Sequence, residues 1–255
     1  MTRVAIVTGA SVGLGREFAL QLDALGEVDE IWLIARRADL LSQVAGELRK
    51  TRGRVMAVDL TVQAQVDGLV ATLEQERPEV RWLVNNAGFG HVGPVAAEQA
   101  GTYARMIALN ITSLVDLTAR VLPFCPRGAR IVQVGSSAGF KPMPNMAVYS
   151  ATKAFVNSFS LALHHELADR GVTVTAVCPG PVETEFFQVA TAQHGKQPPG
   201  PPAAKASDVV ALAIRDARNG RAVSVYGVLI KFYHWIHPLL PTHAAAWAIK
   251  RTRLT

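Results

Sequence analysis

The first 25 residues constrain the fold more than any other stretch, because they combine a buried strand, a glycine-rich turn and a helix. Arg3–Thr8 is short, apolar and rich in branched residues, which is typical of a strand buried on both faces. Gly9, Gly13 and Gly15 follow in the spacing G-x-x-x-G-x-G, and residues 16–25 have helical composition. Such glycines allow a tight turn and let the backbone approach a pyrophosphate at the helix N-terminus. The stretch therefore predicts a dinucleotide-binding turn.

Strand-like and helix-like segments alternate along most of the remaining chain. The further predicted strands are residues 30–35, 54–58, 81–84, 129–134, 172–178 and 222–226. Regular alternation of this kind favours a single α/β domain built on a doubly wound, Rossmann-type parallel sheet. We assign this domain to residues 1–226 and predict a C-terminal hydrophobic helical extension at residues 227–255.

The composition restricts the partners and the cellular compartment that we expect for the domain. Hydrophobic residues make up 49% of the chain and charged residues 18%, which is sufficient for a buried core. The net charge of +6 suits an anionic partner, but the basic residues are spread out, so we expect no nucleic-acid partner. Cys125 and Cys178 lie in no disulfide or metal-binding pattern. With no signal peptide and no apolar run of about 18 residues, we expect a cytoplasmic protein without a metal.

Tyr149 and Lys153 are four residues apart in a segment of helical composition, which places both side chains on one helix face. A free tyrosine has a pKa of about 10, too high for ready proton exchange at neutral pH. A neighbouring ammonium lowers the pKa of a phenol, so the pair is a candidate general acid and base. Alone, the pattern also occurs on solvated helix faces.

Arg36 and Arg37 follow the second predicted strand. An acidic residue at this position binds the ribose hydroxyls of NAD, whereas an arginine accommodates the 2′-phosphate of NADP. Because no acid occupies the strand end, we predict NADP(H) as the cofactor. Two solvated arginines at a helix start are the alternative, which the helix dipole disfavours unless an anion is bound.

Polar residues follow two further strands, where open α/β sheets bind ligands. Asp59 either contributes to the start of the next helix, with Thr61 as the predicted N-cap, or faces an adenine. Asn86 lies in the loop N-N-A-G after the fourth strand. Asn110 lies inside a long predicted helix at residues 101–122, where an asparagine lowers helix stability. It either holds a water or bonds to a neighbouring backbone group.

These motifs together resemble the short-chain dehydrogenase/reductase family, in order and spacing, from about residue 3 to residue 185. The matching elements are T-G-x-x-x-G-x-G from Thr8, N-N-A-G from Asn85, a serine at Ser136, Y-x-x-x-K at Tyr149, and P-G-x-V-x-T from Pro179. The resemblance implies NADP(H)-dependent hydride transfer between a carbonyl and an alcohol.

Carried over residue by residue, the resemblance assigns two sets of residues. The catalytic set is Asn110, Ser136 (with Ser137 as the alternative), Tyr149 and Lys153. The cofactor-binding set is Gly9, Ser11, Gly13, Leu14, Gly15, Arg36, Arg37, Asp59, Asn86, Tyr149, Lys153, Pro179, Gly180, Val182 and Thr184. The resemblance also implies a homo-oligomer, since dimers and tetramers are common in the family.

The resemblance is weaker beyond residue 185. Residues 185–205 correspond to the family's substrate lid, with Phe186 and Phe187 either as an apolar substrate wall or as core residues. Ser207 is the predicted N-cap of a helix to about residue 218. The hydrophobic, basic tail from residue 228 closes over a greasy substrate, forms a subunit interface or contacts an anionic membrane surface.

The prediction is thus an NADP(H)-dependent oxidoreductase that acts on a small-molecule carbonyl or alcohol substrate, with apolar lipid-, steroid- or ketone-like character. The alternative is a non-catalytic NADP(H)-binding sensor or scaffold that keeps the fold. The four residues of the catalytic set argue against that alternative, because a protein without turnover has no need of them.

Overall fold

A computed structural model of the protein describes residues 1–97, 101–186, 190, 202–239, 241, 243 and 246. Its strands are β1 (Arg3–Thr8), β2 (Glu30–Ala35), β3 (Arg52–Ala57), β4 (Glu79–Asn85), β5 (Arg130–Val134), β6 (Thr173–Val177) and β7 (Val223–Ser224). They form one parallel sheet in the order β3-β2-β1-β4-β5-β6-β7. The predicted doubly wound sheet is confirmed.

Helices connect the strands across both faces of the sheet. They are α1 (Gly13–Leu25), α2 (Ala38–Glu47), α3 (Gln63–Glu76), α4 (Thr102–Ile107), α5 (Ser113–Val121), α6 (Ala147–Glu166), α7 (Ala206–Arg218) and α8 (Val228–Ile236). Short 3-10 turns cover Val95–Ala97, Leu122–Phe124, Ser137–Phe140 and His237–Leu239.

The continuous apolar run of β1 divides into two cores because successive side chains point to opposite faces of the sheet. Ala5 and Val7 join one core with Phe18 of α1 and Ile214 of α7. Val4 and Ile6 join the other, which includes residues of α3, α5 and α6. Burial on both faces explains why these strands read as unbroken hydrophobic segments rather than alternating ones.

The order of the strands reverses between β1 and β4, which lie side by side although β2 and β3 separate them in sequence. From this point the connections run toward opposite edges of the sheet. A crevice remains between them at the carboxyl ends of the strands. The glycine-rich turn after β1 and the N-N-A-G loop after β4 both lie there. The topology therefore brings together the motifs that the sequence holds 70 and more residues apart.

The predicted 101–122 helix exists but is interrupted. A π-helical turn, Ala108–Thr112, joins α4 to α5, and the Ser113 N–H donates to the carbonyl oxygen of Ala108, five residues back. Such wide turns inside α-helices are frequent at functional sites. This one holds Asn110, and the hydrophobic pattern of the sequence showed no sign of it.

Two predicted helix caps are wrong by one or two positions. α3 begins at Gln63 with Val62 at the N-cap, and α7 begins at Ala206 with Lys205 at the N-cap. Neither N-cap side chain makes a capping hydrogen bond. Thr61 instead donates its hydroxyl to Asp59. Ser207 lies within the first turn of α7, where its carbonyl oxygen accepts from Gln21 of α1.

Within the described residues, one helical stretch, Thr102–Phe124, has the length and hydropathy of a membrane span. It includes α4, the π-helical turn and α5. Leu117 and Val121 are buried in the core beneath the sheet. A core helix of this kind passes the same test of length and composition.

Candidate active site

A cavity of about 1020 Å³ opens at the carboxyl ends of the strands. Its lining includes these residues of the two predicted sets: Gly9, Ser11, Gly13, Leu14, Arg36, Arg37, Asp59, Asn86, Ser136, Tyr149, Lys153, Pro179, Gly180, Val182 and Thr184. Gly15 and Asn110 are not part of the lining. Both lie behind it and support residues that are.

The glycine-rich turn is packed so closely that side chains are excluded from it. Gly9 has a φ of 64°, and a Cβ on it would lie 2.6 Å from the Asn86 side-chain nitrogen. A Cβ on Gly15 would lie 2.2 Å from the Gly9 carbonyl oxygen. Gly13, with a φ of 57°, begins α1 and faces the Thr184 side chain. The turn thus exposes backbone to the cavity, as a pyrophosphate site requires.

Asn86 holds this turn in place. Its side-chain nitrogen donates to the carbonyl oxygens of Thr8, at 3.0 Å, and Gly9, at 3.3 Å. In return, the Thr8 hydroxyl accepts from the backbone N–H groups of Asn86 and Ala87. The asparagine predicted to contact the adenosine therefore lines the cavity while its amide is bonded to the turn, so it shapes the site through the backbone.

The two arginines after β2 are exposed at the cavity edge. Arg37 Nη2 lies 3.5 Å from the Ser11 hydroxyl and 3.6 Å from a Glu185 carboxylate oxygen, and the Arg37 and Glu185 side chains are about half exposed. Asp59 accepts the Thr61 hydroxyl at 2.7 Å and the Thr61 N–H at 2.9 Å. These bonds, helped by the charge of Arg36, hold the pKa of Asp59 below its usual value. Of its two predicted roles, Asp59 performs the local backbone one and also lines the cavity.

Ser136, Tyr149 and Lys153 converge at the inner end of the cavity. Ser136 follows β5, and its hydroxyl accepts from the Ala138 N–H at 3.1 Å. Tyr149 and Lys153 come from the first two turns of α6 and are both buried. A side-chain hydrogen bond links Ser136 to Tyr149. Lys153 Nζ donates to the Val134 carbonyl oxygen at 2.7 Å and lies 5.9 Å from the centre of the tyrosine ring.

Burial dominates the titration of this pair. It raises the pKa of Tyr149 to about 12, which the bond to Ser136 only partly offsets. It also lowers the pKa of Lys153 to about 8. The prediction that the ammonium lowers the tyrosine pKa is therefore wrong for the protein alone, because desolvation disfavours the charged form of both groups. The sequence predicted that Tyr149 and Lys153 lie close together on one helix face. It did not predict that burial removes water from both side chains.

Asn110 follows the backbone alternative that the sequence left open. Its side-chain oxygen accepts from the Phe89 N–H at 3.0 Å, and its nitrogen donates to the Phe89 carbonyl oxygen at 2.9 Å. The nitrogen also lies 3.1 Å from the Thr152 hydroxyl, next to Lys153 in the chain. Asn110 thereby joins the π-helical turn, the N-N-A-G loop and α6 behind the lysine.

Sequence reasoning missed Asn157, one helical turn beyond Lys153. Its amide nitrogen donates to the Ser136 carbonyl oxygen at 3.0 Å, and its oxygen accepts from the Cys178 thiol at 3.3 Å. A Cβ on Gly135 would lie 2.0 Å from that oxygen. Asn157 therefore fixes the loop that carries Ser136. The spacing of four residues after Lys153 was the available signal.

The outer part of the cavity is apolar. The Phe186 ring packs against Tyr149 with centroids 5.3 Å apart, where it lines the cavity and also joins a small apolar cluster. α8 contributes Leu229, Ile230 and Tyr233 to the lining. The Ile230 side chain comes so close to Gly180 that a Cβ there would lie 3.0 Å away. Phe187 and most of the predicted 185–205 lid lie outside the described residues.

A Rossmann-type sheet with a glycine turn at its switch point and a buried serine, tyrosine and lysine at the strand ends defines a nicotinamide-dependent oxidoreductase. The family model for short chain dehydrogenase matches residues 3–195. The chain belongs to this family, which confirms the resemblance inferred from the motifs.

Two relatives illustrate the range of the family. Sulfoacetaldehyde reductase of Chromohalobacter salexigens is 39% identical over 197 residues, covering 75% of this chain and 77% of the relative. Very-long-chain 3-oxoacyl-CoA reductase of Anas platyrhynchos is 30% identical over 258 residues, covering 97% of this chain and 79% of the relative. A solved short-chain dehydrogenase from Sphingobium yanoikuyae in complex with NADPH has a TM-score of 0.81 at 29% identity, covering 92% of this chain and 91% of that chain.

Proposed function

We propose that the protein is an NADP(H)-dependent oxidoreductase that interconverts a carbonyl and an alcohol on a substrate with a long apolar group. The observation that carries this proposal is the buried set of Ser136, Tyr149 and Lys153 at the inner end of a cavity to which Phe186 and α8 add apolar side chains. The sensor or scaffold alternative is not favoured, because the family relatives are enzymes.

The backbone around the glycine turn fits a dinucleotide. A Cβ on Gly9 would meet the Asn86 side chain and one on Gly15 would meet the Gly9 carbonyl oxygen, so the turn packs closely behind the cavity, and the N-terminus of α1 at Gly13 lines the cavity. Val12, at the N-cap, makes no side-chain hydrogen bond to the first turn of α1, so an anion can occupy that position. When bound, NADP(H) supplies or accepts the hydride.

The residues of this chain transfer the proton and stabilise the charge that develops on the substrate oxygen. With a pKa of about 12 in the protein alone, Tyr149 is a neutral phenol at pH 7 and can donate its proton to a carbonyl oxygen as that oxygen gains charge. Ser136 stabilises the same oxygen through its hydroxyl. Lys153, beside the tyrosine, would hold a ribose hydroxyl of the cofactor. These roles favour carbonyl reduction, in which the phenol starts protonated.

Arg36, Arg37 and Ser11 support the preference for NADP(H). Arg37 already lies beside the Ser11 hydroxyl, and Glu185, which also contacts Arg37, is exposed enough to yield to a phosphate. Two guanidinium groups match the geometry of a phosphate monoester. The solved relative named above contains NADPH.

The apolar substrate is supported by the outer cavity and by the tail. The alignment with very-long-chain 3-oxoacyl-CoA reductase leaves out 3% of 255 residues, about eight residues, so it includes most of the proposed 227–255 extension. The alignment with sulfoacetaldehyde reductase covers only 75% of the chain. The tail supplies Leu229, Ile230 and Tyr233 to the cavity. A substrate with a long apolar chain would bury that apolar surface.

A short anionic carbonyl compound is the second candidate. The buried Lys141 and the exposed Arg105 line the same cavity. A sulfonate or carboxylate group would be attracted to these cations. The two candidates differ in whether the apolar tail residues contribute to substrate affinity.

The cofactor assignment is tested by titrating the protein with NADPH and NADH and following energy transfer from tryptophan to the reduced nicotinamide. We expect tighter binding of NADPH and loss of that preference in Arg36→Ala/Arg37→Ala. Arg49→Ala/Arg52→Ala, on the exposed edge after α2, is the matched control and should keep it. Equal affinity of the wild-type protein for both cofactors would refute the phosphate site.

The substrate assignment is tested by steady-state reduction of aliphatic ketones and 3-oxoacyl thioesters of increasing chain length, alongside sulfoacetaldehyde. We expect kcat/KM to rise with chain length by up to about fourfold per buried methylene, given about 0.8 kcal/mol for each. A flat dependence with efficient turnover of sulfoacetaldehyde would support the second candidate instead.

A further inference from the structure

α8 differs from an ordinary surface helix because it carries apolar side chains on its outer face as well as on its inner face. Its inner face carries Ile230, Tyr233 and His234, and the His237 ring, just beyond α8, stacks on Phe140 at 4.8 Å. Its outer face, together with the following turn, carries Val228, Phe232, Trp235 and Leu239, and Leu229 lies at the edge between the two faces, where it also lines the cavity. Helices on the surface of soluble proteins normally turn their polar residues outward.

The four residues of this outer face are large apolar side chains that are exposed. They are between 61% and 86% exposed. Val228, Phe232 and Trp235 follow the spacing i, i+4, i+7, which places them on one side of the helix. Continuous apolar patches of more than a few hundred Å² are rare on monomers and mark contact sites. Trp235 is an amphipathic side chain of the kind enriched at membrane interfaces.

The charge of the C-terminal sequence indicates what covers this face. Lys231 is exposed on α8 beside the patch, and Lys250, Arg251 and Arg253 follow in the sequence. No acidic residue occurs after Asp216. In a symmetric contact with a second copy, the same patch would face itself and bring like charges together. An anionic lipid surface accepts both the apolar face and the basic residues.

We propose that the outer face of α8 docks the protein on an anionic phospholipid bilayer. The inner face of the same helix lines the substrate cavity through Ile230 and Tyr233. Docking would therefore place the cavity next to the acyl-chain region, where long apolar molecules are concentrated. The lipid contact itself does not depend on the reaction proposed above.

The test uses the full-length protein and flotation with vesicles of phosphatidylcholine alone or mixed with phosphatidylglycerol. We expect flotation with the mixed vesicles, weaker flotation with phosphatidylcholine alone, and a decrease at high salt. Trp235→Glu should weaken binding at least about tenfold, because it removes a large apolar contact and adds an anion. Val62→Glu, at an exposed valine before α3, is the matched control and should bind as the wild type does.

Three results would overturn the proposal. The first is no flotation with either vesicle. The second is flotation that Trp235→Glu leaves unchanged, or that is equal for both lipids. The third is a wild-type oligomer that dissociates in Trp235→Glu without any lipid binding, which would assign the face to a second copy. Unchanged circular dichroism and NADPH affinity of Trp235→Glu would confirm that the variant is folded. Because flotation does not measure turnover, a failure of the reaction assay and a failure of lipid binding can be told apart.

Discussion

The two sides of the cavity are built on different physical principles. On the side formed by the glycine turn, the backbone is packed so closely that a side chain would not fit. Gly9 and Gly15 lie there against the Asn86 amide. The side formed by Phe186 and α8 depends on apolar contact, with Ile230 against Gly180 and Phe186 against Tyr149. Hydrogen bonds and backbone contacts accept few residue types, whereas apolar contact accepts many.

This difference separates chemistry from specificity. A family whose members share a reaction can keep the first side unchanged, if its residues hold the cofactor as we propose. The second side can vary in shape without disturbing the first. The two relatives, named for sulfoacetaldehyde and for very-long-chain 3-oxoacyl-CoA, illustrate how far such variation can extend within one family.

The largest expected effect is on the chemical side. Tyr149→Phe should reduce turnover by about 10²- to 10⁴-fold, because it removes the proton donor and leaves the ring in place. NADPH affinity should change little. Tyr233→Phe, which removes a hydroxyl from the substrate side of the same cavity, is the matched control and should retain most activity. Comparable losses in both variants would contradict the proposed division.

The next largest effect is expected in the glycine turn, where the backbone is packed too closely for a side chain. Gly15→Ala should reduce the free energy of unfolding by about 1–3 kcal/mol and weaken NADPH binding, because its Cβ would meet the Gly9 carbonyl oxygen. Gly68→Ala, in α3 with open space around it, should instead stabilise the protein by about 0.5–1 kcal/mol. Chemical denaturation measures both. Equal effects would show that the turn tolerates a side chain.

A smaller effect is expected where α8 meets the cavity. Ile230→Ala should raise KM for a long apolar substrate by about threefold to tenfold and leave KM for a short one unchanged. Phe232→Ala, on the outer face of the same helix, should change neither value in assays without lipid. If Phe232→Ala and Ile230→Ala behave alike, the inner and outer faces of α8 do not have separate roles.

The smallest effect is a pH dependence of stability that comes from Lys153. Burial lowers its pKa in the folded protein from 10.5 to about 8, so the unfolded chain binds more protons between these values. The free energy of unfolding of the cofactor-free protein should therefore gain a contribution that rises from about pH 8 to pH 10.5. Lys153→Met should lack this rise when urea denaturation is compared at pH 7.5 and pH 9.5.

The neighbouring groups do not produce the same signal. Burial raises the pKa of Cys178 and of Tyr149 to about 12, so both stay protonated in the folded protein across this range. Their contribution falls with rising pH, because the unfolded chain loses those protons first. A slope that is unchanged in Lys153→Met would mean that the lysine is not desolvated.

The sequence predicted the glycine turn well and the apolar side of the cavity poorly. Gly9, Gly13 and Gly15 stand where only glycine fits, and such positions are visible as residue type and spacing. Asn157 was missed, because a polar residue on a helix has the same pattern whether it holds a catalytic loop or faces water. Phe186 and Tyr233 were part of apolar segments whose partners the sequence does not specify.

The sequence by itself determined the alternation of elements, the doubly wound sheet and the residues that a dinucleotide turn and a proton donor require. These follow from local physics: strand burial, glycine conformation and helix spacing. Only the tertiary structure decided that burial dominates the tyrosine pKa, that Asn110 bonds to Phe89, and that α8 leaves apolar side chains exposed on its outer face. Each of these depends on which groups exclude water from one another, and that is a property of the packed chain.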